Sequence, residues 1–251
     1  MISYLVRRLV SSIIVVIGVS IFIFILLHAI YPSPARDVLG LSARPYQIAA
    51  WDKTNGYDDP VIVQYLHWVN QLLHGNLGYS YAENQTVAAL FAERVARSVY
   101  LSGISLLIAV LIAVPLGIFQ AVKRNSIGDN VATSAAFILY SMPSFFLGLI
   151  LIQVFALSFP IFNFEASQSD SVWVVMGDWY SMTLPILLAG NLIVETLFNY
   201  QGLGLLFYTS LQKADYPVML AYTLAGAVLV VVGNLIADIA LTIADPRIRL
   251  T

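Results

Sequence analysis

The run LVSSIIVVIGVSIFIFILLHAI, from Leu9 to Ile30, decides the fold class. It contains no Asp, Glu, Lys or Arg, and as a helix rising 1.5 Å per residue it covers the roughly 30 Å of a bilayer's hydrocarbon core. Arg7 and Arg8 stand directly before it. The apolar part of a cleavable signal peptide is shorter, about 7–15 residues, and leaves through a small-x-small site. This run ends instead in Tyr31-Pro32-Ser33-Pro34, so it reads as an uncleaved anchor and first span.

Working outward, Ser98 to Val122 reads as a second span that closes on Lys123 and Arg124. Val131 to Phe159 reads as a third, carrying Pro143. Val218 to Ile243 reads as the last, ended by Asp245-Pro246-Arg247-Ile248-Arg249. Composition agrees: 59% of residues are hydrophobic and 10% charged, against roughly 25% charged in soluble domains. With 12 Lys+Arg against 14 Asp+Glu there is no basic field to hold a polyphosphate backbone, and no nucleic-acid partner is expected. The absence of cysteine excludes disulfides, thiolate metal sites and a thiol nucleophile. His28, His67 and His74 are too scattered for a metal cage, so no metal site is expected.

Basic residues near short loops mark the cytoplasmic side. Arg7/Arg8, Lys123/Arg124 and Arg247/Arg249 all fall inside in one orientation, which makes both termini cytoplasmic and sends Tyr31–Arg97 outside. Within that insertion Val61, Tyr65, Trp68, Val69 and Leu72 recur at helical spacing, and Thr86 is placed to cap a helix leading into the second span. The expectation is an all-α membrane protein, a polytopic helix bundle: residues 1–30 with the first span, an extracytoplasmic insertion at 31–97, and a transmembrane core at 98–251. Small residues four apart, such as Ala109, Ala113 and Gly117, signal close helix packing rather than chemistry.

The middle of the chain does not add up. Thr183 to Phe198 is apolar for only 16 residues, about 24 Å as a helix and short of a crossing. A single crossing there would also invert the last span and break the positive-inside assignment. Either the segment re-enters and returns on the outer side, buried in protein or lining a cavity, or residues completing two crossings are absent. Four spans are clear; six are expected with a missing segment restored.

Several strings, in order, carry a resemblance: Tyr4-Leu5-Val6-Arg7-Arg8-Leu9, Asp58-Asp59-Pro60-Val61-Ile62-Val63-Gln64-Tyr65, His74-Gly75-Asn76-Leu77-Gly78-Tyr79-Ser80, Pro115-Leu116-Gly117-Ile118 and Ser141-Met142-Pro143-Ser144-Phe145-Phe146-Leu147-Gly148. Val194-Glu195-Thr196-Leu197-Phe198, Gly202-Leu203-Gly204, Asp215-Tyr216-Pro217 and Asp245-Pro246-Arg247 complete the set. Each is weak alone, but their order over nearly the whole chain is specific. Together they resemble the membrane-spanning permease subunits of ATP-binding-cassette importers of the dipeptide/oligopeptide/nickel family.

The resemblance implies half of an alternating-access path for peptides or related small solutes in the bacterial cytoplasmic (inner) membrane. It also implies a second related membrane subunit, cytoplasmic ATPase subunits and an extracytoplasmic substrate-binding protein as partners, besides the lipid bilayer itself. Lys53, Lys123 and Lys213 follow Asp, Val and Gln, so the chain has no phosphate-cradling Gly-x-x-x-x-Gly-Lys-Ser/Thr loop. It is not expected to be an enzyme or to bind a cofactor; ATP and Mg would belong to the partner ATPases. In the family, Leu184-Pro185 opens an inward span, followed by cytoplasmic coupling helices and an outward span ending at the Glu-Thr-x-Phe string. Here nine residues, Ile186 to Val194, separate Pro185 from Glu195, so the resemblance implies that the coupling segment is lacking between 185 and 195.

No residue reads as catalytic. Asn191 and Glu195, and Asn234 and Asp238, stand four apart and share helix faces, which makes them candidates for a path or gate. Packing is the weightier role for Glu195 and Asp238, through a position near the interface or a hydrogen bond to a neighbouring helix. Lys123, Arg124 and Asp129 form a candidate cytoplasmic contact, the two cations being topology determinants first. Two other functions stay open: a stand-alone ion- or proton-coupled carrier, opposed by the scarcity of ionisable groups and broken helix pairs, and a non-transporting membrane scaffold.

Overall fold

The computed structural model describes residues 2–40, 42–159 and 191–244. Helix dominates them. In chain order come α1 (Ile2–Ile30), α2 (Ala35–Leu39), α3 (Pro45–Asn55), α4 (Val61–Leu73), strands β1 (Tyr79–Ser80) and β2 (Gln85–Thr86), then α5 (Val87–Val122), α6 (Ile127–Ser141) and α7 (Ser144–Ile152). After a π-helical turn at Gln153–Ser158 follow α8 (Asn191–Leu197), α9 (Leu203–Gln212) and α10 (Tyr216–Ala244). Contacts divide the chain into two units, 1–89 with 210–251, and 90–209.

In the first unit α1 and α10 run antiparallel. At one end Arg8 meets Asp238; at the other the Tyr216 hydroxyl lies 3.5 Å from the Phe24 carbonyl. Both helices are long and apolar enough to span a membrane, and their outward side chains, such as Phe22 at 67% and Leu229 at 68% exposure, fit a lipid surround better than water. Helix α4 covers the residues whose spacing predicts it. It rests on α1 through Tyr65, whose hydroxyl is 2.8 Å from Ser20 Oγ, and through Trp68, whose ring centroid is 5.5 Å from that of Phe24. Pro45 starts α3, where a missing N–H costs nothing, and Gly56 at φ +75° ends it. A hydrogen bond from Ser33 to Asp52 ties α3 back to the end of α1.

The hairpin β1–β2 pairs antiparallel, Tyr79 opposite Thr86, and is fastened to the start of α10. Ser80 donates to Asp215, and Lys213 meets Glu83 at 2.6 Å. Gly78 has φ +96°, and a Cβ there would stand 3.1 Å from Pro217 Cβ. The residue must be glycine for both reasons.

Helix α5 follows the hairpin in the chain and, from residue 90 on to Val122, belongs to the second unit. It begins at Val87, eleven residues before the apolar run at Ser98. Thr86 Oγ1 accepts the Ala89 N–H at 3.3 Å, the cap expected of it, and Glu93, Arg94 and Arg97 masked the helix from a hydropathy reading without breaking it. The expected third span is not straight. Its two helices, α6 and α7, are bent by 108°. Pro143 has no N–H to continue α6, and Met142 before it is extended at ψ 137°. Leu101, Ile152, Val194, Phe198 and Tyr200 form the core of this unit.

Among the described residues three helices can cross a membrane, or four if the bent pair makes one span. The protein is a polytopic all-α membrane protein. Asp245–Arg249 and, up to residue 190, the stretch assigned to the missing coupling segment lie outside the described residues.

Candidate functional site

The sequence from Glu195 to Gly204 forms one structural device. Helix α8 ends with Asn199 in the left-handed region at φ +51°, while the Tyr200 N–H donates to the Glu195 carbonyl at 2.8 Å. That closure turns the chain back so that the Glu195 carboxylate meets the amino end of α9. Oε2 accepts the N–H groups of Gly204 at 2.6 Å and Leu205 at 3.1 Å; Oε1 accepts the Ser98 hydroxyl at 2.7 Å. Ser98 Oγ in turn accepts the Leu203 N–H at 2.8 Å. Three free donors of the first helical turn are thereby satisfied. The carboxylate also sits where a helix favours negative charge.

Glu195 is fully buried, and its site is built around it. A Cβ at Gly202 would fall on the carboxyl group, and one at Gly204 would lie 2.9 Å from both Oε2 and the Leu192 backbone. Arg97, also buried, donates from Nη1 to Gln201 Oε1 at 2.7 Å, and the Tyr200 hydroxyl donates to its carbonyl at 3.2 Å. The α8–α9 turn is bolted to α5 through two successive residues.

Asn191, four residues before Glu195 and on the same helix, begins α8. Asn234 is exposed on α10, and Asp238 one turn later bonds Arg8 Nε at 2.6 Å. A residue read as a topology marker is thus the counter-ion of a residue read as a path candidate. Lys123 and Arg124 are exposed, with Lys123 Nζ 5.4 Å from the Phe119 ring centroid. Asp129 is engaged locally: its N–H donates to Ser126 Oγ, and its Oδ2 accepts the N–H of Asn125, itself at φ +62°. This reciprocal cap starts α6.

Sequence reasoning missed Ser98, Gly202 and Gly204 as parts of the Glu195 site. The available signal was an acidic residue seven positions before a Gly-x-Gly. Among the described residues no three His, Cys, Asp or Glu side chains gather as metal ligands.

Two family models match the two ends of the chain. One describes the N-terminal part of binding-protein-dependent transport system membrane components and matches residues 1–102; the other describes binding-protein-dependent transport system inner membrane components and matches residues 180–250. The chain is 28% identical to the oligopeptide transport system permease protein AppB of Bacillus subtilis over 315 residues, covering 99% of this chain and 100% of that protein. It is 28% identical to a probable peptide ABC transporter permease of Sinorhizobium fredii over 309 residues, 98% of this chain and 99% of the relative. To the glutathione transport system permease protein GsiC of Salmonella choleraesuis it is 26% identical over 304 residues, covering 99% of each. An alignment of 315 positions exceeds the 251 residues of this chain by 64, so the Bacillus protein has at least that many residues with no counterpart here.

Proposed function

The chain belongs to the inner-membrane components of binding-protein-dependent transport systems, the permease subunits of ATP-binding-cassette importers, and from that premise we propose that it carries peptides as half of a two-subunit path. The names of its relatives, permeases for oligopeptides, peptides and glutathione, support peptides as the substrate class. The observation that carries the reading is the match of family models to both ends of the chain, ends that α1 and α10 hold side by side. A partner membrane subunit completes the path, an external binding protein delivers the solute, and cytoplasmic ATPases bind ATP and Mg and drive the cycle.

Antiparallel α1 and α10 support placing both termini on one side. The basic clusters favour the cytoplasm, with residues 31–97 outside. Asn191, Glu195, Asn234 and Asp238 are the candidates for the path or gate, packing being the weightier role for Glu195 and Asp238, and Lys123, Arg124 and Asp129 for the cytoplasmic contact. The test is co-expression with the neighbouring transport components followed by peptide uptake into proteoliposomes. Uptake that requires ATP and this chain supports the reading; uptake by this chain alone makes it a carrier.

A second reading has its own support. The alignment excess of 64 positions agrees with a coupling segment lost between Pro185 and Glu195. A chain without it is a membrane scaffold that no longer binds the ATPase. Absence of ATPase from a purified complex that retains the second membrane subunit selects this reading.

A further inference from the structure

Three pairs of ring-bearing elements converge on one cavity in the first unit. Trp51 and Tyr57 stack at 5.4 Å between centroids with 23° between planes, closing one wall at the end of α3. Tyr79 and Tyr81 meet edge to face at 5.3 Å on the hairpin side. Trp68 and Tyr216 both pack on Phe24, at 5.5 and 6.4 Å, and form the base. The cavity is open on one side and has a volume of about 450 Å³, within the range of small-molecule sites.

The polar lining is as selective as the rings. Asn55, Gln71, Asn76 and Thr86 supply amide and hydroxyl groups, and among the described residues no Asp, Glu, Lys, Arg or His lines the cavity. All four are exposed, so the polar groups stand at its rim. Burial, with Tyr81 and Asp52 nearby, pushes the Tyr57 hydroxyl up to about 12, so it is a neutral donor across the physiological range. Such a lining offers nothing to a charged terminus. It offers flat faces for stacking and neutral donors and acceptors around them. A pure packing defect would be apolar and smaller, because unfilled space forfeits contacts and bulky rings collapse onto it.

We propose that the cavity formed by Trp51, Tyr57, Trp68, Tyr79, Tyr81 and Tyr216 is a binding site for an uncharged ring bearing hydrogen-bonding groups. Two sources have that chemistry, an aromatic side chain of a peptide and a sugar ring. The site rests on the importer reading only for the side from which the solute arrives. Binding is measured without transport, so the two readings fail separately.

The test uses the full chain in lipid nanodiscs, with empty discs as reference. Tryptophan fluorescence is titrated with N-acetyl-tyrosinamide, methyl glucoside and the ringless N-acetyl-alaninamide. A ring compound should saturate with a dissociation constant of about 1 mM or tighter, and the ringless amide should bind at least tenfold more weakly. Preference for the tyrosine amide identifies a peptide side chain; preference for the glucoside identifies a sugar. Gln71→Trp, at an exposed helical position, should fill the cavity and weaken binding at least tenfold with the thermal transition unchanged, and Trp51→Ala should do so by removing a wall. No saturable binding overturns the site, as does equal affinity for the ringless amide or binding that both variants leave intact. Capture of an extracytoplasmic binding protein while no ring compound binds also overturns it and makes the face a protein contact.

Discussion

Glu195 Oε2 lies 2.6 Å from the amide nitrogen of Gly204, and the same carboxylate is the reason that Gly202 and Gly204 have no side chains. A carboxyl group and two glycines apart in sequence form a single constraint. Gly202→Ala should therefore destabilise the chain more than an ordinary Gly→Ala change, by about 2–4 kcal/mol, since it displaces a buried, fully bonded carboxylate. Ser98→Ala should cost about 1–3 kcal/mol by leaving the Leu203 N–H and one carboxylate oxygen without their partner. Thermal unfolding in detergent checks both, and a neutral Gly202→Ala would refute the cap.

The Arg8–Asp238 pair predicts coupling that single changes cannot reveal. Arg8→Leu and Asp238→Leu should each lower the yield of folded protein, while the double variant loses less than their sum. A coupling energy on the order of 1 kcal/mol is expected for a partly exposed pair. If Asp238→Leu leaves folding intact and abolishes uptake, the carboxylate works in the path instead.

Topology is testable without background, because the chain has no cysteine. A cysteine at Asn55 should react with an impermeant maleimide added to intact cells, and one at Arg124 only after permeabilisation. Arg124 is preferable to Asn125, whose positive φ would add strain of its own. Labelling of position 124 from outside would invert the assignment.

Tyr57 predicts a response to alkali. Its hydroxyl is raised to about 12 by burial, then by Tyr81 and Asp52, against about 10 in an unfolded chain. The folded state therefore holds the proton more tightly, so the contribution is complete below about pH 10 and is lost as pH rises toward 12. Tyr57→Phe should flatten the fall of the thermal transition across that window. An unchanged slope would mean that the hydroxyl is solvated.

Restoring a coupling segment between Pro185 and Glu195 should recover ATPase binding if its loss is what separates this chain from its relatives. The measurement is ATPase retained per permease on affinity purification. Equal retention with and without the segment would point to the Lys123–Asp129 turn as the contact.

The long helices were legible because lipid demands long apolar runs, and α4 because its apolar residues keep one face. What the sequence hid depends on contacts across long separations. The start of α5 was legible in part: hydropathy marks only the span from Ser98, because charge in residues 87–97 lowers the score, but Thr86 as a cap points to the helix that begins at Val87. Pro143 was visible, but a proline inside an apolar run does not state its angle. Glu195 was read through spacing to Asn191, whereas its partners come from Ser98 on one side and a following helix on the other. Arg8 was read as a marker of sidedness, and only the antiparallel packing of α1 and α10 gives it a counter-ion.

That last pairing sets an order of events during synthesis. The first helix leaves the ribosome with Arg8 near its start, and the carboxylate that neutralises it is nearly the whole chain away. At about 5–20 residues per second, on the order of ten seconds or more passes before Asp238 exists. For that interval α1 is held by lipid, by its own hydrogen bonds and, once α4 is made, by the Tyr65 and Trp68 contacts, with the face later covered by α10 open to other helices. A chain that stalls before Asp238 therefore carries Arg8 without the carboxylate that meets it in the finished subunit.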